Sequence, residues 1–270
     1  MPQNNMEPLN SVQKAWLAIG LTWVAGFVDI VGYTVLKQIL NANMSGNTVL
    51  IPYHLFQHGP VNAAARGWAV LMFVIGLIAC ACIHEACIRH GILSSAAVTL
   101  GLEALLLVIF VADGNRYATA AGGLPQLPTH AFYLLVALAC VAMGLQNATL
   151  TRVGALSVRT THVTGTLAKF AESWSRFMFW FYDKTRGAQS GRFREALRLS
   201  FQHEDFRDAA LTAALWLGFL VGALFGVWLL HWWRLNSLFV PIAILLVFII
   251  ADLRKPVTSA QQAYKAKDCF

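Results

Sequence analysis

Charged residues are scarce in this chain. Asp, Glu, Lys and Arg make up 12% of its 270 residues, against about 25% in an ordinary soluble domain. Hydrophobic residues make up 57%, and they gather in long runs. Each run holds roughly 20 residues, the length needed to cross a bilayer. The shortage of charge therefore excludes a soluble globular domain and makes the protein integral to a membrane. Cysteine is sparse as well: Cys80, Cys82, Cys87 and Cys140 lie in apolar stretches and Cys269 in the tail, so no disulfide framework is expected. Enzyme signatures are missing, with no H-E-x-x-H, no G-x-S-x-G, no phosphate-binding glycine loop and no dinucleotide fingerprint. No catalytic residue is assigned and no cofactor is expected. Nor is there a recognisable cleavable leader. Met1–Gln13 is polar and no small-residue cleavage site precedes Asp29, so the first apolar run reads as an uncleaved anchor.

What charge there is has a pattern. The formal net charge is +7, and the basic residues sit in loops and tails. Lys184, Arg186, Arg192, Arg194, Arg198 and Arg207 crowd the loop Asp183–Arg207, and Arg254, Lys255, Lys265 and Lys267 fill the C-terminal tail. A positive-inside bias explains this distribution and places the N-terminus with Lys14, the basic loop and the tail in the cytoplasm. Arg192–Phe201 is expected to form a basic helix on the membrane surface. No basic run is interleaved with aromatics on a polar surface, so no nucleic acid is expected as a partner. Trp180-Phe181-Tyr182 and Trp232-Trp233 read as interfacial belts, and His203-Glu204-Asp205 as a solvated turn.

Hydropathy predicts an all-α polytopic membrane protein. Six spanning helices are expected at about Ala15–Leu36, Arg66–Ile88, Leu93–Ala112, Ala131–Thr151, Ala209–Trp232 and Ser237–Leu253. Two further segments, Met44–Gln57 and Val163–Phe181, are shorter or more polar and fit either tilted spans or re-entrant helices. The domain plan is a cytoplasmic segment over 1–14, a single transmembrane domain over 15–253 and a cytoplasmic tail over 254–270.

The transmembrane domain carries an internal repeat, about 15–112 and about 131–253, separated by the Gly/Pro-rich loop Asp113–Thr129. Gly26-Phe-Val-Asp29 followed by Asn43-Met-Ser-Gly-Asn47 recurs as Gly144-Leu-Gln-Asn147 followed by His162-Val-Thr-Gly-Thr166. If neither short segment crosses, there are six spans and the halves are inverted. If both cross, there are eight and the halves run parallel. The shortness of Met44–Gln57 favours inversion. Polar residues repeated across two halves of a membrane protein point to a site between them.

Asp29 is the leading candidate. A carboxylate at mid-span costs about 2.5–3.5 kcal/mol unless it faces protein or water or takes up a proton. It reads as a proton carrier or ligand, against the plainer reading of an acid that bonds neighbouring helices. On the first reading, Asp29→Asn should leave stability unchanged or raised. Ser45-Gly46 and Thr164-Gly165 resemble helix starts, in which a hydroxyl caps N–H groups and a glycine permits close approach. The plainer reading is close helix crossing at small residues. The two starts are expected to meet in the bundle interior, with Gln146 and Asn147 near the first and Asp29 near the second. Asn43, Asn47, His162 and Thr166 would line the same pathway. Glu103 is a secondary candidate, expected to pair with His84 or Glu85. Cys80, His84 and Cys87 share a helix face, but one helix cannot surround an ion, and no metal is assigned.

The paired motifs, Gly-x-x-Asp with Asn-Met-Ser-Gly-Asn and then Met143-Gly-Leu-Gln-Asn147 with Thr160-Thr-His-Val-Thr-Gly-Thr166, resemble those of the YoaK family of bacterial membrane proteins. The resemblance runs over about residues 15 to 253. It implies a bacterial inner-membrane, multi-pass protein of a kind loosely described as a permease. Thr166 stands where the first copy has Asn47, so an asparagine role there is not symmetric. The combined reading is a secondary transporter or channel for a small polar or anionic solute, proton-coupled through Asp29. The alternative is a membrane-embedded enzyme acting on a lipid-like substrate, with Asp29, His162 and Glu103 as acid and base. Membrane lipids and the solute are the expected partners, and a homo-oligomer is left open.

The charge pattern makes a direct prediction about sidedness. A cysteine introduced at Ser190 should stay unlabelled by an impermeant thiol reagent in intact cells, and one at Ala120 should label. Labelling at position 190 would overturn the orientation.

Overall fold

The structure is a computed structural model and describes residues 11–57, 59–92, 94–117, 127–153, 163–186 and 190–256. Every element among them is helical: α1 (Ser11–Val35), α2 (Met44–Gln57), α3 (Pro60–Arg89), α4 (Ser95–Arg116), α5 (Thr129–Val153), α6 (Val163–Thr185), α7 (Ser190–Ser200), α8 (Glu204–Trp233), a 3-10 turn (Arg234–Leu238) and α9 (Phe239–Arg254). The second element has the bounds expected from the sequence. The basic surface helix, expected over Arg192–Phe201, is α7.

Five helical stretches are long and apolar enough to cross a membrane: 12–35, 60–89, 95–116, 129–151 and 204–254. The last folds back on itself. Arg234 takes a positive φ of 53°, the 3-10 turn follows, and α9 returns as a separate arm. Six helices therefore span: α1, α3, α4, α5, α8 and α9. Their outward faces carry Leu71, Ile78, Leu105, Leu224, Trp228 and Val247 among many exposed apolar side chains, which is what lipid-facing positions require.

Contacts between helices fix their directions. Ile19 and Trp23 of α1 lie against Gly218 and Gly222 of α8, so these two helices are parallel. Trp68 Nε1 donates to the Tyr133 carbonyl at 3.0 Å and Cys80 Sγ meets Thr149 Oγ1 at 3.5 Å, so α3 and α5 are parallel. Thr149 Oγ1 donates to Thr99 Oγ1 at 2.8 Å while Gly114 packs on Leu135, so α4 opposes α5. Ser94 bonds the Asp252 carbonyl and Asn115 bonds Asn236, so α9 opposes α4. Gln146 of α5 bonds Leu21, and Cys140, further toward the start of α5, reaches Asn41, which lies on Val28 of α1. Thus α5 opposes α1. With α1 pointing one way and α3 the other, α2 cannot cross between them. The same holds for α6 and α7, which lie between α5 and α8. The six-span arrangement stands, and eight parallel spans are excluded.

Two seams hold the bundle together. In one, a Cβ on Gly26 would overlap the Phe219 carbonyl and a Cβ on Gly222 would overlap the Trp23 carbonyl. In the other, a Cβ on Gly144 would overlap the Phe73 carbonyl and a Cβ on Gly76 the Val141 carbonyl. Each glycine faces the residue three positions before its partner glycine, so the backbones touch where side chains would hold them apart. Lipid tails are as apolar as leucine, and such close contact is what drives helix association in a membrane. Outside the seams, α2 packs on α3 and α6 on α8. Thr166, Ser173 and Phe177 are buried residues of α6, and its Arg176–Glu172 pair stays exposed.

The seams can be tested against an open position. Nothing lies within 4 Å of a Cβ built on Gly101, so Gly101→Ala should gain about 0.5–1 kcal/mol from helix propensity. Gly76→Ala and Gly222→Ala should each lose about 1–3 kcal/mol by overpacking. Thermal unfolding of the detergent-solubilised protein reads both signs, and equal effects at seam and open positions would count against the seams.

Candidate functional site

The first motif builds one connected polar structure, and it begins where α1 ends. Lys37 and Gln38 take positive φ values of 51° and 64°, a left-handed turn that sends the chain back along the helix it has just left. Gly32 makes room for the return, since a side chain there would overlap the Asn41 amide. Asn41 Nδ2 donates to the Val28 carbonyl at 3.3 Å, placing the returning segment beside the Asp29 level of α1.

Asp29 then receives it. Its Oδ1 accepts the backbone N–H of Asn41 at 2.6 Å and of Ala42 at 2.8 Å, and its Oδ2 accepts Asn43 Nδ2 at 2.6 Å. Non-helical backbone inside a membrane must satisfy its polar groups within the protein, and here one carboxylate satisfies two successive peptides. Hydrogen bonds to a charged group are worth about 1.5–3 kcal/mol each. Asp29 is 4% exposed.

Asn47, in the first turn of α2, closes the other side of the loop. Its Nδ2 donates to the Leu40 carbonyl at 2.6 Å, and its Oδ1 accepts Leu40 N–H at 3.3 Å and Arg66 Nη1 at 3.2 Å. Arg66 of α3 also donates to the Gln38 carbonyl at 3.3 Å. Cys140 of α5 approaches Asn41 Oδ1 at 3.9 Å. The loop between α1 and α2 is thus held from α1, α2, α3 and α5 at once.

This geometry corrects several expectations. Ser45 is the second residue of α2 and its side chain is exposed, so it does not cap the helix. Gly46 faces the end of the Leu40 side chain rather than another backbone. Thr164 and Gly165 are likewise the second and third residues of α6 and both are exposed, whereas Gly46 is half-buried; Thr166, like Asn47, is buried. With α2 on α3 and α6 on α8, the two helix starts do not face each other. Asp29 bonds the start it precedes in sequence, not the second one. Gln146 Nε2 donates to the Leu21 carbonyl of α1 at 2.8 Å rather than to α2. Asn147 is buried, and its carbonyl accepts the Thr151 hydroxyl at 2.9 Å. His162 lies outside the described residues.

Glu103 departs from expectation in a different way. It is fully buried in α4 and neither carboxyl oxygen has a hydrogen-bond partner. His84 instead meets Ser95 Oγ at 2.9 Å, and Glu85 pairs with Arg89 at 3.1 Å. Of the helix face that invited a metal reading, Cys80 meets Thr149 and His84 meets Ser95.

Three residues escaped the sequence reading. Arg66 was placed at the edge of a span, yet α3 starts at Pro60 and puts it six residues inside. The Gly59-Pro60 pair is a helix-start signal that could have shown this. Asn41 precedes the motif and carries no mark of its own. Asp252 falls within the last expected span and belongs to no motif, yet its Oδ2 accepts the Ala97 N–H at 2.8 Å and caps the start of α4.

A family model described as a protein of unknown function (DUF1275) matches residues 17–251. The chain is also 31% identical over 162 residues to the UPF0700 transmembrane protein YoaK of Bacillus subtilis strain 168, a match covering 59% of this chain and 66% of that protein, just under two thirds of its length. No solved structure matches the chain. The family match covers most of the chain, so the chain belongs to the DUF1275 family.

Proposed function

We propose that this protein is a secondary transporter or channel for a small polar or anionic solute in the bacterial inner membrane, a permease in the broad sense. In this reading its two halves are an inverted repeat. The matching of Gly26 with Gly144 and of Gly76 with Gly222 across the two seams supports it, as does the opposite direction of α1 and α5. Inverted repeats with interrupted helices at mid-membrane are a recurrent transporter design.

The observation that carries the proposal is the polar loop returning into an apolar bundle on a buried carboxylate. An ionisable side chain is costly to bury in a membrane bundle, and where it occurs it commonly marks a solute or proton path. Asp29 acts as the gating group. Ionised, it holds the N–H groups of Asn41 and Ala42 and the side chain of Asn43. Protonated, its carboxyl becomes a donor as well as an acceptor, and the loop loosens. Asn43, Asn47, Gln146, Asn147, His162, Thr164 and Thr166 border the path that opening exposes, with Ser45, Gly46 and Gly165 at the helix starts. Glu103, buried without a partner, is the second proton-carrying candidate.

The test is reconstitution in liposomes with flux of labelled acetate and phosphate, measured with and without a pH gradient. Asp29→Asn should abolish gradient-driven flux. It should also lower the melting temperature, because an amide turned toward Asn41, Ala42 and Asn43 replaces an acceptor with a partial donor, reversing the unchanged or raised stability expected from insertion cost alone. Asp29→Glu should keep part of both. A folded Asp29→Asn variant with full gradient-driven flux would leave Asp29 a structural clamp only.

A further inference from the structure

On the face of the bundle opposite α7, a pocket opens between the end of α1, the far end of α2 and the starts of α3 and α5. Lys37, His54, Asn62, Arg66, Thr129 and Tyr133 supply its polar wall, and its cavity volume is about 100 Å³. Lys37 lies over the Phe132 ring, 5.3 Å from the centroid. No carboxylate lines the pocket among the described residues.

Arg66 is the unusual member. It is 3% exposed and belongs to none of the ion pairs among the described residues. Both of its hydrogen bonds, to the Gln38 carbonyl and Asn47 Oδ1, come from Nη1. Nε and Nη2 donate to no described residue. Those two nitrogens form one edge of the guanidinium fork, the edge that takes two oxygens of one anion side by side. A buried cation is strongly disfavoured without a counter-charge, and here the protein supplies only neutral acceptors.

We propose that this pocket binds a small oxyanion, a carboxylate or phosphate group, gripped by the Nε/Nη2 edge of Arg66 and by the Lys37 ammonium. The volume admits a ligand of a few heavy atoms. Because Arg66 also holds Asn47 and Gln38, an anion drawn to it pulls on the same loop that Asp29 clamps from the other side. The site deepens the transport reading by naming the solute class and rests on that reading only for the solute's onward path. Binding is measurable without flux.

The experiment is thermal unfolding and calorimetry of the purified full-length protein in detergent, titrated with acetate, phosphate or chloride at constant ionic strength. Acetate or phosphate should raise the melting temperature and chloride should not. Lys37→Gln, at an exposed position, should fold normally and weaken binding at least fivefold. Arg66→Lys should lose most of the affinity, because a point charge replaces a fork. The site is overturned if neither oxyanion stabilises the protein beyond chloride, or if Lys37→Gln binds as tightly as the unaltered chain. Should Arg66→Lys fail to fold, Lys37→Gln alone decides. Oxyanion binding without liposome flux would keep the site and sink the transport reading, whereas flux without binding would do the reverse.

Discussion

Non-helical backbone buried among apolar helices has no water to bond to, and the carboxylate of Asp29 takes up the N–H groups of Asn41 and Ala42 where the chain after α1 returns into the bundle. The rest of the polar structure follows from that one acceptor. With Asn41 and Ala42 anchored, the chain is already turned, α2 can start at the depth of Asp29, and Asn47 is delivered to Leu40 and Arg66. Remove the acceptor and two peptide N–H groups lie unsatisfied in an apolar bundle, each at a cost of about 1–3 kcal/mol. The carboxylate is buried in turn because the donors it needs are buried with it. Charge and loop make each other tolerable.

Arg66 extends the same logic to the opposite sign. The loop carries a negative group on one side and a positive group on the other, but they do not pair. Each is spent on neutral amides, so the loop stands between two charges that neither cancel nor touch. In the proposed reading, such a segment responds to a proton on one side or an anion on the other. Both proposals above rest on that arrangement.

Much of this was readable before any coordinates. Run lengths gave the spanning helices, and the bounds of α2 fell where the break after Leu40 and the length of its apolar stretch put them. The glycine–acid motif drew attention to Asp29 because charge in a span is expensive. What could not be read was which backbone that acid would hold. Sequence spacing favoured the second copy, through symmetry, whereas the chain doubled back and brought its own next loop, a result decided by the left-handed turn at Lys37 and Gln38. The role of Ser45 was misjudged for a related reason. The helix begins one residue earlier than the hydroxyl, which puts Ser45 inside the first turn rather than ahead of it. The seam glycines other than those in the motif, Gly76 and Gly222, were hidden inside uniformly apolar runs where nothing distinguishes a contact glycine from a spacer. Asp252 stayed hidden because its partner lies on a helix far away in sequence.

The interleaving of the seams bears on how the chain is made. α1 docks on α8 and α3 on α5, so neither half encloses its own partners. The ribosome releases the N-terminal helix long before α8 exists, and domains generally fold as their chain emerges. The acid of α1 meets its donors within the next dozen or so residues, a local step completed early. Its glycine face stays unmatched until nearly the whole polypeptide has been synthesised. The nascent protein therefore forms the Asp29 loop before it closes the α1–α8 seam. For most of its synthesis the chain thus carries one closed loop and an open seam, with the Gly26 face of α1 uncovered until α8 arrives.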